Sequence, residues 1–145
     1  MIKEEFKLEN QLCFRLYTAS RLVTQAYTPL LSKHGITYPQ YLVLLVLWEK
    51  DAQPVNDIAK KLVLETNTVT PLLKRMETEG FITRSKGADD ARQTIVKLTF
   101  KGEQMQNALK DVPTTVGSAL ICESVTLETV PNLFNMLDDI IRTLK

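Results

Sequence analysis

The sequence predicts a mainly α-helical fold with one small β-hairpin, and three observations lead to this prediction. Apolar residues recur at helical spacing along most of the chain. The stretch Thr94–Leu98 instead carries partly alternating β-branched residues, as a half-buried strand does. The longest apolar run, Tyr41–Trp48, has eight residues and is too short to span a membrane. With 145 residues and 44% hydrophobic content, we expect a single domain over residues 1–145.

The N-terminal third predicts two helices. Apolar side chains recur along the first at steps of four and three residues, which forms a seam suited to helix–helix packing. These residues are Leu12, Leu16, Ala19, Val23, Ala26 and Leu30. The segment 32–35 ends this helix, and Thr37 caps a second one with Pro39 in its first turn. Because the run 41–48 is apolar on all sides, we expect it to be buried, with residues 51–54 as a linker.

Two short helices joined by a tight turn are predicted within residues 55–80. The first carries one apolar stripe, which consists of Val55, Ile58, Ala59 and Leu62. The inner face of the second consists of Val69, Leu72, Leu73 and Met76. This second helix stops at Gly80, since a glycine can take the left-handed conformation that closes a helix. Pro71 is tolerated best in a first turn, so the helix should begin between Glu65 and Thr68 or be distorted there.

The outer face of this second helix is unusual for a purely structural helix. It consists of Thr66, Asn67, Thr68, Thr70, Lys74 and Arg75. Thr and Asn are mediocre helix formers, but their short polar groups suit hydrogen bonds to phosphates and base edges. The two cations supply charge for the same purpose. A cap-rich helix start on a solvated face is the alternative interpretation.

A β-hairpin follows at once, with strands expected at Phe81–Ser85 and Thr94–Leu98. The polar segment between the strands cannot form a core and must project into solvent. A helix pair followed by such a hairpin is the layout of a winged helix-turn-helix, here over residues 54–102. That layout places its second helix, the recognition helix, in the major groove of double-stranded DNA.

Basic residues lie on or beside the projecting segment, which would be the wing. They are Arg84, Lys86 and Arg92. Arg92 is placed to reach the adjacent minor groove, and Asp89 or Asp90 can hold its guanidinium in a bidentate pair. A solvated turn with a surface salt bridge is the alternative.

The charges of the chain are distributed unevenly, although the net charge is only +1. Residues 54–101 contain nine Lys or Arg and six Asp or Glu, which gives +3, and residues 1–53 carry +1. Residues 102–145 contain three basic and six acidic residues, which gives −3. Positive charge is therefore concentrated on the segment predicted to bind DNA.

Helices are also predicted after the hairpin. Thr99 begins one that runs to about Lys110, Pro113 opens a segment to about Ile121, and Thr126 caps a final helix. The final helix carries Val130, Leu133, Phe134, Leu137, Ile140, Ile141 and Leu144.

Apolar seams at both ends of the chain predict a homodimer. The winged segment lacks the surface to cover them, so we expect residues 1–53 and 103–145 to form a helical dimerisation region. Two-fold symmetry would place two recognition helices about one DNA turn apart, on a pseudopalindromic operator. The two ends packing on each other within one chain is the alternative, and it is compatible with a dimer.

Taken together, these motifs resemble the MarR family of dimeric transcriptional regulators. The resemblance covers D-I-A-K-K-L at 57–62, T-V-T-P-L-L-K-R-M-E-T-E-G-F-I-T-R at 68–84 and D-D-A-R-Q-T-I-V-K-L-T at 89–99. Two further motifs, at 8–17 and 37–49, resemble the organic hydroperoxide resistance regulator (OhrR) subfamily. The resemblance implies a repressor that binds its operator when reduced and releases it when an organic hydroperoxide oxidises Cys13.

The same resemblance assigns the residues of a thiol sensor. Tyr27 and Tyr38 are similar to the two tyrosines that contact the sensor thiol in the subfamily. Tyr27 lies fourteen residues after Cys13, about 21 Å along a straight helix, so it would reach the Cys13 thiol of the partner subunit. Cys122 resembles by location the second cysteine that resolves the oxidised sensor in some members; a resolving role and a bystander role stay open. From the residues alone, an inert buried thiol is the commoner fate for Cys13.

Other chemistry finds no support in the sequence. One histidine and two distant cysteines make no plausible zinc site, and no cofactor-binding motif is present. The N-terminus lacks the apolar core of a signal peptide, so we expect a cytoplasmic protein without a membrane partner. Two alternatives remain: a repressor of the same fold released by a small phenolic or aromatic ligand, and a thiol peroxidase that uses Cys13 and Cys122. The winged segment argues against the enzyme.

Overall fold

The computed structural model describes residues 1–145 and divides into two units. It contains seven α-helices, three β-strands and three short 3₁₀ helices, at Glu4–Phe6, Leu8–Asn10 and Ser32–His34. The first unit, Met1–Lys110, contains α1 (Leu12–Leu31), α2 (Tyr38–Glu49), β1 (Gln53–Pro54), α3 (Val55–Leu62), α4 (Thr66–Thr78), β2 (Ile82–Lys86), β3 (Thr94–Leu98) and α5 (Phe100–Ala108). The second unit, Asp111–Lys145, contains α6 (Val112–Leu120) and α7 (Val130–Leu144). The mainly α fold with a small sheet is confirmed.

Helix α2 lies in the core of the first unit and contacts α1, α3, α4 and α5. It begins as predicted: the Thr37 hydroxyl accepts the Gln40 N–H, and the Gln40 side chain accepts the Thr37 N–H. This reciprocal capping satisfies two backbone donors that the first turn leaves free. The apolar run inside the helix is largely buried, through Tyr41, Val43, Leu44, Val46 and Leu47.

Helices α3 and α4 form the predicted helix-turn-helix. Both α3 residues Ile58 and Ala59 are buried, and so are Val69, Leu73 and Met76 of α4. The small Ala59 lets the two helices approach closely. Helix α4 begins at Thr66, inside the predicted interval, although Pro71 then lies in its second turn. The recognition helix is therefore anchored by one fully buried face.

The two helices end in the same way but with different residues. After α4, Gly80 has φ of +83°, and the Phe81 N–H donates to the Met76 carbonyl at 3.0 Å. After α3, Val63 has φ of +56°, and the Leu64 N–H donates to the Ala59 carbonyl at 2.9 Å. Both are left-handed helix closures, for which glycine is the usual residue. A β-branched Val63 in this conformation is strained.

The three strands form one antiparallel sheet in the order β1-β3-β2. The prediction that residues 51–54 form only a linker is wrong, because Gln53 pairs with Val96 and Pro54 with Ile95. Proline is tolerated there because β1 is an edge strand. The Asp51 carboxylate accepts the Leu98 N–H at 2.8 Å and holds β3 beside this segment. The first strand of the hairpin begins one residue later than predicted, at Ile82.

Thr99 and Gly102 fasten the start of α5 to the segment between α4 and β2. The Thr99 hydroxyl accepts the Gly102 N–H and donates to the Gly80 carbonyl at 2.6 Å. A side chain at Gly102 would collide with the Phe81 carbonyl oxygen, so the close approach needs glycine. The Trp48 indole N–H donates to the Gly102 carbonyl at 3.0 Å and ties α2 to the same turn.

The final helix α7 begins at Val130, so the prediction that Thr126 caps it is wrong. Thr126 lies in the preceding turn, where its N–H donates to the Thr129 hydroxyl at 2.8 Å, and Thr129 stands at the N-cap. None of the residues of α7 is buried, and in α1 only Leu31 is buried. The predicted apolar seams of both helices are therefore exposed or only half-buried in the single chain.

No helix of the structure combines the length and the apolar character that crossing a bilayer requires.

The strained closure after α3 generates a stability prediction. Val63→Gly should raise the free energy of unfolding by about 0.5–1 kcal/mol. The substitution stabilises the folded protein by relieving about 1–2 kcal/mol of left-handed strain. It also stabilises the unfolded chain by about 0.4–1 kcal/mol, because glycine has more conformational freedom there. Gly80→Ala should lower it by a similar amount, because space exists beside Gly80 and only the backbone conformation opposes the methyl group. Denaturant unfolding at one protein concentration measures both; a loss of stability in Val63→Gly would contradict the strain.

Candidate functional site

The outer face of α4 is exposed, as predicted. Thr66, Asn67, Thr68, Lys74 and Arg75 are exposed, and Thr70 is half-buried. Two of the hydroxyls are used locally: Thr70 donates to the Thr66 carbonyl at 2.8 Å, and Thr66 donates to the Asn56 side-chain oxygen at 3.2 Å. Lys74 and Arg75 make no ion pair, so their charge is free for an anionic partner.

A groove of about 490 Å³ lies between this face and the hairpin. It brings together residues of α3, α4 and the wing: Pro54, Val55, Asn56, Thr66, Thr70, Leu73, Arg84, Asp90, Arg92, Gln93 and Thr94. Five of these were predicted as binding residues from the sequence. Asn56 and Gln93 were missed, because neither forms part of a pattern along the chain. In this groove the recognition helix and the wing meet on one concave surface.

Arg92 is held at the wing by Asp90. Its Nε donates to one Asp90 oxygen at 3.1 Å and its Nη2 to the other at 3.2 Å, while its backbone N–H donates to the first at 3.0 Å. Of the two aspartates named from the sequence, Asp90 makes this pair. The Arg92 side chain remains 91% exposed. It is therefore oriented without being covered.

Arg84 has a different environment. Its Nη2 lies 3.1 Å from a Glu77 carboxylate oxygen, and its backbone N–H donates to the other oxygen at 2.8 Å. Glu77 was missed in the sequence, since the pair joins α4 to β2. Arg84 is only 22% exposed and its charge is balanced, so it fixes the hairpin to the recognition helix. Lys86, at the end of β2, is exposed and makes no ion pair.

Both arginines change the ionisation of their partners. The hydrogen bond from the Arg84 side chain lowers the pKa of Glu77 below its ordinary value. The hydrogen bond from the Arg92 side chain lowers the pKa of Asp90 in the same way. Both carboxylates therefore stay ionised well below neutral pH.

The two cysteines are free and exposed. Cys13 lies in the first turn of α1, where the nearby Arg15 points back and donates to the Gln11 carbonyl at 3.1 Å. Cys122 lies in the connection between α6 and α7, and its N–H donates to the Val125 carbonyl at 3.0 Å. Cys13 is therefore not a buried thiol in the single chain, although burial is the commoner environment of a cysteine.

Tyr27 and Tyr38, the two tyrosines singled out in the sequence, lie in contact. Their ring centroids are 4.6 Å apart, and Tyr41 joins them at 5.7 and 6.3 Å. Tyr41 was missed because it belongs to the apolar run of α2. Burial raises the pKa of all three phenols, so their hydroxyls stay protonated and can donate hydrogen bonds. Tyr27 lies fourteen residues after Cys13 on α1, about 21 Å away.

Known proteins resemble this chain over most of its length. A family model described as the transcriptional regulator SarA/Rot matches residues 25–109. The chain is 47% identical over 113 residues to the organic hydroperoxide resistance transcriptional regulator of Bacillus subtilis (strain 168), which is 78% of this chain and 77% of that protein. Two structures of AbfR, a protein of Staphylococcus epidermidis, are similar. Reduced AbfR bound to DNA is 39% identical, covers 98% of both chains and has a TM-score of 0.78. Disulfide-formed AbfR is also 39% identical, covers 97% of this chain and 94% of that one, and has a TM-score of 0.68.

The two arginine–carboxylate pairs predict separable pKa changes. Arg84→Gln should raise the pKa of Glu77 towards its ordinary value and leave that of Asp90 unchanged, and Arg92→Gln should do the reverse. In the wild type, the stabilisation from each carboxylate is complete above its unfolded pKa and is lost as the pH falls through the lower folded pKa. NMR titration of the carboxyl carbons measures both pKa values in each variant. A Glu77 pKa that does not respond to Arg84→Gln would show that another group stabilises this carboxylate.

Proposed function

This chain belongs to the organic hydroperoxide resistance regulators of the MarR family, and from that membership we propose a redox-controlled repressor of transcription. The reduced protein binds a pseudopalindromic operator as a homodimer. An organic hydroperoxide oxidises Cys13, and the dimer then releases the DNA. The protein is thus a cytoplasmic sensor in which each subunit reacts with one peroxide, and not an enzyme that turns over many.

The single observation that carries the proposal is the groove between α4 and the wing. It sets the exposed polar face of α4 beside an arginine that is oriented and still uncovered. A helix of this kind fits the major groove, and Arg92 on the wing then reaches the adjacent minor groove. The free charges of Lys74 and Arg75 suit phosphates. Base edges would be met by the short side chains of the first turn, Thr66–Thr68.

A second copy of the chain is the partner that suits the incompletely buried seams of α1 and α7. Leu12, Leu22, Phe134 and Leu144 are exposed large apolar residues on these two helices. Exposed apolar surface of this kind on helices is covered by association in soluble proteins. A two-fold dimer would present two α4 helices to successive major grooves on one side of the DNA.

The chemical step needs only the Cys13 thiol and the peroxide. The thiolate sulfur attacks the terminal oxygen of the hydroperoxide, and the O–O bond breaks. The sulfur keeps the OH as a sulfenic acid, and the alkoxide leaves and takes a proton to become the alcohol. Sulfur is oxidised by two electrons, and one peroxide is reduced. The hydroxyls of Tyr27 and Tyr38 of the partner subunit would donate hydrogen bonds to the thiolate and favour its charged form.

Release of DNA follows from the position of Cys13 on a packed seam. Oxidation adds polar bulk to a helix surface that the dimer buries, and the helices reposition. A change in the spacing between the two recognition helices then breaks their match to successive grooves. Cys122 would stabilise the released state when the Cys13 sulfenic acid condenses with it: an S–S bond forms and water leaves. AbfR, which is similar in sequence, has a disulfide-formed state.

DNA affinity should depend on how Arg92 is held. Asp90→Ala removes the carboxylate that orients the guanidinium, and Asp89→Ala removes the neighbouring charge but no bond. Each substitution removes one negative charge from the wing, which by itself favours binding to DNA. We therefore expect Asp90→Ala to bind roughly two- to fivefold more weakly than Asp89→Ala. Fluorescence anisotropy with a duplex selected by the wild type from a random pool measures both affinities. Equal affinities of the two variants would show that the pair does not orient the wing.

The contact itself is tested by Arg92→Ala. Loss of one minor-groove arginine should weaken binding roughly tenfold. It should also reduce the slope of log affinity against log salt by about 0.9, because one phosphate-region charge is lost. Lys33→Ala is the matched control, since Lys33 lies outside the winged segment and should change neither quantity. If Arg92→Ala binds DNA with the affinity and salt slope of the wild type, the wing does not contact the DNA.

The sensor is tested with the two cysteines separately. Cys13→Ser keeps the volume and removes the thiolate, so this variant should bind DNA as the wild type does and stay bound when cumene hydroperoxide is added. Cys122→Ser should still release DNA, but should run as a monomer on non-reducing gels where the oxidised wild type runs as a covalent dimer. Release of DNA by Cys13→Ser at the wild-type dose would eliminate Cys13 as the switch. A monomeric oxidised wild type would make Cys122 a bystander.

A further inference from the structure

Gln40 is the only polar residue buried in the core, with 3% of its surface exposed. It occupies the third position of α2. Its Oε1 accepts the Thr37 N–H at 3.0 Å, and its Nε2 donates to the Glu79 carboxylate at 2.8 Å. Glu79 stands at the C-cap of α4. One buried amide therefore joins the start of α2 to the end of the recognition helix, across 39 residues of sequence.

The choice of an amide at this position is explained by Glu79 and not by capping. The oxygen of either Gln or Glu would complete the reciprocal cap with Thr37. A glutamate at position 40 would however face the Glu79 carboxylate with no donor between them. Because a buried polar group without a partner is costly, the second hydrogen bond decides between the two side chains. The Gln40–Glu79 bond thus has a role separate from starting α2.

One end of this bond adjoins the tyrosine cluster. Tyr38 lies two residues before Gln40 and Tyr41 directly after it, and both rings contact Tyr27 of α1. Tyr38, Gln40 and Tyr41 all lie in the first turn of α2 or directly after it. The start of α2 therefore carries both Gln40 and a ring, Tyr38, that contacts Tyr27 of α1.

The other end of the bond lies where α4 ends and side chains of neighbouring elements meet it. The Glu79 carbonyl accepts the Lys101 ammonium at 2.7 Å, and the adjacent Gly80 carbonyl accepts the Thr99 hydroxyl. The Lys101 ammonium also lies 4.3 Å from the centre of the Phe81 ring. Side chains from α2 and α5 therefore meet at the last turn of α4. The end of α4 is thus bonded to both α2 and α5.

We propose that Gln40 is a positioning residue that couples the tyrosine cluster to the recognition helix through Glu79. The inference rests on the proposed function, because it assigns the route by which oxidation at Cys13 changes DNA binding. Gln40 lies outside the groove and on a different helix from Cys13, so it acts through Glu79 and touches neither DNA nor peroxide. The coupling is carried by one hydrogen bond with a charged acceptor, which is shorter and stronger than a neutral one.

The test compares Glu79→Ala with Glu103→Ala. Both remove one exposed carboxylate, but Glu103 makes no hydrogen bond or ion pair through its side chain. DNA affinity is measured before and after one equivalent of cumene hydroperoxide, and loss of the Cys13 thiol is timed in parallel. Glu79→Ala should lose its thiol at the wild-type rate. Its ratio of oxidised to reduced dissociation constants should fall at least roughly fivefold below that of the wild type. Glu103→Ala should keep the wild-type ratio.

A swap of donor and acceptor separates coupling from simple destabilisation. Gln40→Glu keeps the cap but sets two carboxylates against each other, so the ratio should fall as in Glu79→Ala. Adding Glu79→Gln to Gln40→Glu restores a donor and an acceptor in reversed order, and the ratio should return to the wild-type value. A structural role alone would change unfolding stability without moving this ratio.

The outcomes distinguish the proposed function from the coupling. A wild type that keeps its DNA after Cys13 is oxidised would overturn the proposed function, and the coupling with it. A wild type that releases DNA, with Glu79→Ala releasing it to the same extent, would overturn the coupling alone. The coupling is also overturned if the double substitution fails to recover the ratio while the protein remains folded.

Discussion

Helix α2 is packed against α1, α3, α4 and α5, and its burial holds the tyrosine cluster, the helix-turn-helix and the wing in one arrangement. Each of its fully buried apolar side chains contributes about 1.5–3 kcal/mol. Its polar side chains then fix direction: Gln40 reaches the end of α4, and Trp48 reaches the first turn of α5. Packed cores switch between discrete arrangements more readily than they deform continuously. We therefore expect the DNA-binding surface to have two discrete positions.

Two surfaces outside this packed core remain exposed in the single chain. Helices α1 and α7 present apolar residues to solvent, and Cys13 lies on one of these surfaces. In the proposed switch, oxidation of this thiol changes a surface that the two subunits share. The polar face of α4 is open for a different reason, since the packing of this helix uses only its opposite, apolar side. The proposed sensor thiol and the proposed DNA-binding face therefore lie on separate surfaces.

Local signals made most of the fold predictable from the sequence. The start of α2 followed from Thr37 and the end of α4 from Gly80, since caps and closures act within a few residues. The start of α4 was bounded to Glu65–Thr68 by Pro71, and it lies at Thr66. Non-local pairing was not predictable. Strand β1 forms only by pairing with β3. The Gln40–Glu79 and Glu77–Arg84 bonds join different elements, and no pattern in the sequence links their residues. The start of α7 was misplaced because Thr126 and Thr129 both suit a cap, and the hydroxyl of Thr129 is used within the preceding turn.

One oxidised sulfur per subunit is proposed to switch the protein off DNA. This switch is tested most directly by adding hydroperoxide in fractions of an equivalent, and by following intact mass, residual peroxide and bound DNA in the same samples. We predict that DNA release rises in step with oxidation of Cys13 and is complete once each subunit has consumed about one peroxide in the absence of reductant. Release while Cys13 is still reduced, or consumption of many equivalents per subunit, would contradict the proposed switch.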